Sequence, residues 1–161
     1  MQVTVAEISD LDVLADMWVE LAHGQRAFGS HLFADTNRKQ VRESLAQHVA
    51  FDGVLVARDE SDDIHGFVMF EVGSGRYDQD VTRGTISNLF VVSERRGEGV
   101  GSRLLSAAEE RLHEAGADVV GLEVMADNES GRKFYRRHGY RPHRIELEKS
   151  IQNDTHSKED R

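Results

Sequence analysis

Apolar positions recur with two different periods along this chain, and the switches between them mark out short elements. Val3 to Glu7 reads as a short strand. Asp10 then offers an N-cap, and Leu11, Leu14, Ala15, Trp18, Leu21 and Ala22 follow at helical spacing. His23 to Thr36, with Gly24 and Gly29, is a looser stretch before a second helix through Val41, Leu45 and Val49. Val54 to Arg58 and Gly66 to Val72 are runs of β-formers around an acidic turn at Asp59 to Asp63. Gly73 to Gly84 reads as a polar loop, and Thr85 to Val92 as a strand running into Ser93 to Gly101.

Val100, Leu104, Leu105, Ala108 and Leu112 line one face of a helix that ends near Gly116. Asp118 to Met125 is a further strand, Ser130 to His138 a short helix closed by Gly139, and Tyr140 to Glu148 a last strand. The predicted order is β-α-α-β-β-β-α-β-α-β. No repeat or linker divides it, so residues 1–149 are expected to form one domain and 150–161 a polar, disordered tail.

Composition narrows the class. With 39% hydrophobic residues over 161 positions, the chain can bury one core. Cysteine is absent, which removes disulfides and any thiolate chemistry. No apolar run reaches the about 18 residues a membrane span needs, and no basic-then-apolar leader opens the chain, so the expected location is cytoplasmic. A net charge of −9 disfavours nucleic acid and anionic membrane as partners. Lysine occurs only at Lys39, Lys133, Lys149 and Lys158, the other basic residues being arginine. Such an acidic, lysine-poor chain resembles proteins of salt-loving microbes as well as ordinary acidic ones.

Candidate chemistry concentrates in Arg95-Arg96-Gly97-Glu98-Gly99-Val100-Gly101, between a strand and a helix. Glycines at alternate positions let the backbone turn sharply and aim N–H groups at phosphate oxygens, next to the positive end of a helix. The spacing is no P-loop, and Ser102 stands where a dinucleotide fingerprint needs glycine.

The segment Ile86-Ser87-Asn88-Leu89-Phe90-Val91-Val92, followed by Arg96-x-x-Gly99-x-Gly101, resembles the acetyl-CoA signature of the GNAT superfamily of N-acetyltransferases, Arg/Gln-x-x-Gly-x-Gly/Ala. Asn128-x-x-Gly131-x-x-Phe134-Tyr135-x-x-x-Gly139-Tyr140 is similar to that superfamily's second motif, in which Ala stands at the place of Gly131. The resemblance implies an α/β GNAT fold, a mixed and mostly antiparallel sheet of six to seven strands with about four helices.

It also implies acetyl-CoA as co-substrate, with no metal. Leu89, Phe90, Val91 and Val92 would offer backbone to the pantetheine arm, the strand splaying there from Val120 to Val124. An amide near Leu89 or Phe90 would polarise the thioester carbonyl. Arg96, Gly97, Glu98, Gly99, Val100, Gly101 and Ser102 would cradle the pyrophosphate, and Asn128 would hold the cofactor arm. Tyr135 would sit at the sulfur and protonate the leaving thiolate.

Two residues depart from the pattern. Glu98 puts a like charge near the phosphates, and Asn88 stands where many relatives carry an acid. The base that takes the amine proton is therefore sought elsewhere: Glu71, Glu123, Asp127 or a water relay. Among other residues, His31 and His65 can approach the acceptor, and Trp18 and Phe28 can line its pocket or pack the core. Arg132, Arg136 and Arg137 can meet the 3′-phosphate or simply form an exposed face. No histidine cluster has metal-ligand spacing.

The expected function is direct transfer of acetyl to a primary amine, on a small-molecule or peptide acceptor such as a polyamine or a protein N-terminus. A catalytically silent CoA-binding sensor and a protein-lysine acetyltransferase are the alternatives, and no residue decides whether the chain acts alone or as a homodimer. The composition itself can be tested. A salt-adapted surface predicts a melting temperature that climbs from dilute buffer to molar KCl as self-repulsion is screened, whereas a flat or falling curve marks an ordinary acidic protein.

Overall fold

A computed structural model describes residues 1–73 and 77–152, so the expectation for the tail falls mostly outside the described residues. The elements are β1 (Gln2–Val5), α1 (Leu11–Arg26), α2 (Arg38–Ala50), β2 (Val54–Arg58), β3 (Ile64–Val72) and β4 (Arg83–Val91), then α3 (Val100–Glu114), β5 (Val119–Leu122) and α4 (Glu129–Arg137). Helix α1 runs on through His23 and Gly24, which the sequence pattern placed in a looser stretch. One exposed glycine costs a helix only about 1 kcal/mol, and the buried face ending at Ala22 outweighs it.

The strands form one sheet in the order β1-β2-β3-β4-β5. Neighbours are antiparallel except β4 and β5, which run parallel, as a mixed, mostly antiparallel sheet requires. Period-two alternation sorts the core to the two faces. Val54, Val56, Phe67 and Met69 pack with α1 and α2. Leu55, Ala57, Val68 and Phe70 pack with Val100, Leu104, Leu105, Ala108 and Leu112 of α3. Each large side chain buried this way contributes about 1.5–3 kcal/mol. Buried Asp10 ties the start of α1 to the sheet: its carboxylate accepts the Glu7 N–H at 2.8 Å and pairs with Arg58.

Two expectations fail. The sheet has five strands among the described residues, not six to seven. The missing one is Tyr140 to Glu148, which joins no ladder. Pro142 cannot donate to a ladder there, and the alternating Ile145 and Leu147 find no surface to cover, remaining 77% and 88% exposed. Strand β5 is also shorter than predicted, stopping at Leu122 rather than Met125. Its early end opens the site.

Candidate active site

Strand β4 carries an irregularity that sequence alternation does not reveal. Asn88 lies opposite Met69 but Ile86 opposite Phe70, so Ser87 is an extra residue in β4. A bulge of this kind bends its strand and increases the local twist. The β4–β5 ladder ends at the same place, its last pair being Ile86 with Leu122. Beyond it β4 continues beside β3 alone, and the sheet splays open.

The ladder with β3 fixes which backbone groups face the gap. The Val92 N–H donates to the His65 carbonyl at 2.9 Å, which makes Val91 and Gly66 a non-hydrogen-bonded antiparallel pair. By alternation Phe90 exchanges its bonds with Phe67, while the amides and carbonyls of Leu89 and Val91 point away from β3. The Arg96 Nε donates to the exposed Val91 carbonyl at 3.0 Å.

The chain then turns through the glycines. Gly97 and Gly99 have φ of +80° and +84°, and Gly99 is the N-cap of α3. An L side chain in this left-handed region costs about 1–2 kcal/mol. No side chain caps α3, so the first-turn N–H groups of Val100, Gly101 and Ser102 are open to an anion. A Cβ at Gly97 or Gly99 would meet nothing within 4 Å, which leaves the space before these amides clear. Glu98 turns to Arg95, 3.6 Å away, so its charge is balanced. Arg95 also lies 4.0 Å from Asp59. His65, hydrogen-bonded to Asp59 at 2.6 Å, holds that carboxyl below its usual range, with help from the Asp63 N–H.

Helix α4 closes the other side. Asn128 is its N-cap, and its Oδ1 accepts the Gly131 N–H at 3.0 Å. This side chain folds close over Gly131, its Nδ2 lying 2.6 Å from where a Cβ there would be. Tyr135 is half-buried, edge-on to Phe134 at 5.2 Å and to Tyr140 at 5.8 Å. Burial pushes its phenol above the ordinary tyrosine range, and its hydroxyl has no hydrogen-bond partner among the described residues. Tyr140 is pushed up further, by burial and by donating to Glu109 at 2.7 Å.

The remaining candidates are scattered. Glu71 is on the α2 side of the sheet, 3.7 Å from His48, whereas Tyr135 packs on the α3 side, so the two are not brought together. Glu123 is the first residue past the β4–β5 ladder and is exposed, as is Asp127. Trp18 is core, 8% exposed. His31 pairs with Glu148 at 2.9 Å across the chain. Sequence reasoning missed the bond from Ser102 Oγ to His138 Nε2, 2.9 Å, which joins α3 to α4. A separation of 36 positions leaves no local signal for it. No group of three potential metal ligands occurs among the described residues.

The shared geometry has parallels elsewhere. The model for the Acetyltransferase (GNAT) family matches residues 12–140. The chain is 34% identical over 139 residues to a mycothiol acetyltransferase of Clavibacter sepedonicus, covering 83% of this chain and 42% of that protein. It therefore spans under half the length of that relative. It is 30% identical over 137 residues to an uncharacterized N-acetyltransferase of Archaeoglobus fulgidus, covering 84% and 89% of the two chains. In fold it is similar to a Bacillus halodurans protein, with a TM-score of 0.82 at 20% identity over 94% of this chain and all of the other.

The tyrosine environments predict an alkaline signature. Both folded pKa values are raised, so the stability these phenols contribute is complete below the unfolded value of about 10 and is lost as pH rises through the folded ones. In a phenolate absorbance titration, Tyr135→Phe and Tyr140→Phe should each remove signal that appears only above that value. Loss of signal at or below it would contradict the burial.

Proposed function

The chain belongs to the Acetyltransferase (GNAT) family, and from that membership we propose that it transfers acetyl from acetyl-CoA directly to a primary amine. The observation that carries the reading is the coincidence of the open β4 edge with the uncapped start of α3, one strand end apart. The first offers amide-pairing groups to an extended pantetheine arm, and the second offers N–H donors to a pyrophosphate. Bound there, acetyl-CoA would supply an activated acyl carbon.

This chain's residues would do the rest. The Leu89 N–H, aimed into the gap, is placed to hydrogen-bond a thioester oxygen as negative charge develops on it. The amine nitrogen attacks the acyl carbon, the C–S bond breaks, and Tyr135 gives its proton to the departing sulfur. Its raised pKa keeps the phenol protonated at neutral pH, as a donor must be. The amine's surplus proton leaves to an exposed carboxylate just past β5, Glu123 or Asp127, directly or through water, since the Asn88 amide cannot take it. Direct transfer needs only two substrates held together. The acceptor is a small-molecule or peptide amine entering where the sheet splays.

Thiol release from acetyl-CoA against a panel of amines and peptides tests the activity. With the best acceptor saturating, Tyr135→Phe should lower kcat by roughly 10²-fold while CoA affinity holds. A kcat within about twofold of wild type would leave Tyr135 as packing beside Phe134, well below the about 10²-fold that a general acid contributes. CoA binding without thiol release for any acceptor would favour a sensor instead.

A further inference from the structure

We propose that Lys133 and Arg137 form a seat for the 3′-phosphate of the coenzyme A nucleotide, an inference that rests on the acetyl-CoA reading above. The starting point is an electrostatic problem. A chain of net charge −9 must attract a strongly anionic ligand, and at the glycine turn Glu98 offsets Arg95 and leaves only Arg96 as surplus positive charge.

The charge is supplied locally. From Glu129 to Arg144 the chain carries Arg132, Lys133, Arg136, Arg137, Arg141 and Arg144 against the single acid Glu129. All six cations are exposed. This basic island stands beside the phosphate cradle, because α4 packs directly on the first turn of α3. The Phe134 ring lies 3.5 Å from where a Gly101 Cβ would be, and His138 bonds Ser102.

Helical geometry divides the island. Lys133 and Arg137 are one turn apart, on the flank of Phe134 away from Tyr135. The Arg137 guanidinium lies 6.0 Å from the Phe134 ring centroid, which holds it next to the α3 contact. Tyr135, on the other flank, packs against Tyr140 and the core. Arg132 and Arg136 project from the far side, and Arg132 is turned back to the Ala126 carbonyl at 3.2 Å. With the thiol end of the ligand at Tyr135 and the pyrophosphate on α3, the remaining phosphate falls on the Lys133 and Arg137 flank. A guanidinium fork with an ammonium beside it suits a phosphate dianion.

Calorimetric titration with CoA and with 3′-dephospho-CoA separates the possibilities. Wild type should bind CoA at least about tenfold more tightly, the scale of a charge-assisted contact. The double variant Lys133→Ala, Arg137→Ala should bring the two ligands to within about twofold of each other by weakening CoA alone. The matched double variant Arg132→Ala, Arg136→Ala should keep the preference. Equal binding of both ligands by wild type, or a preference that survives the first double variant, would overturn the 3′-phosphate seat while leaving the acetyl-CoA reading intact. Binding of neither ligand by wild type would remove that reading, and this inference with it.

Discussion

The site depends on backbone hydrogen bonds that the fold leaves unmade. A parallel neighbour would normally take up the amides and carbonyls of a central strand, yet β5 pairs with β4 only as far as Ile86. Unpaired backbone groups are costly when they lose water without gaining a partner. The Leu89 amide and carbonyl and the Val91 N–H remain at a half-exposed gap, the Val91 carbonyl being taken by Arg96, and there an amide-bearing ligand can extend the ladder. The extra residue at Ser87 accompanies the separation, and the antiparallel ladder with β3 holds the rest of β4 straight behind it. Loss of ladder on one side is thus supported by an intact ladder on the other.

Electrostatics follows the same economy of position. The acidic excess is spread over the molecule, while six of the twenty Lys and Arg residues gather between Glu129 and Arg144, beside the start of α3, which no side chain caps. Glu98 intrudes on that place but is matched by Arg95, and Arg95 is anchored through Asp59 and His65 to the β2–β3 hairpin. Exposed pairs like these contribute little to stability individually. Their effect is to keep negative charge turned away from the turn.

Much of this was legible in the sequence, for identifiable reasons. The helices α1, α2 and α3 and the strands β2 and β3 were visible because their apolar spacing matches the face they bury. Gly97 and Gly99 were visible because a left-handed turn admits little else. The bulge was not: Ile86 and Phe90 are four positions apart, which in a regular strand puts both on one face, yet they pack on opposite faces. The last strand misled because Ile145 and Leu147 alternate as strand residues do, and alternation cannot say whether a surface exists to receive them. The surroundings of Glu71 were not legible either. Alternation with Phe67 and Met69 sets its face toward α2, where it lies 3.7 Å from His48, a neighbour that no spacing rule connects to it.

The central claim is that the open edge of β4 and the start of α3 together receive the coenzyme. Amide hydrogen exchange, resolved by residue with and without saturating CoA, tests it most directly. The account predicts slowed exchange at Leu89 and Val91 and at Val100, Gly101 and Ser102, with β1 and β2 unchanged. Exchange at Leu89 and Val91 that stays equally fast while CoA is demonstrably bound would contradict it.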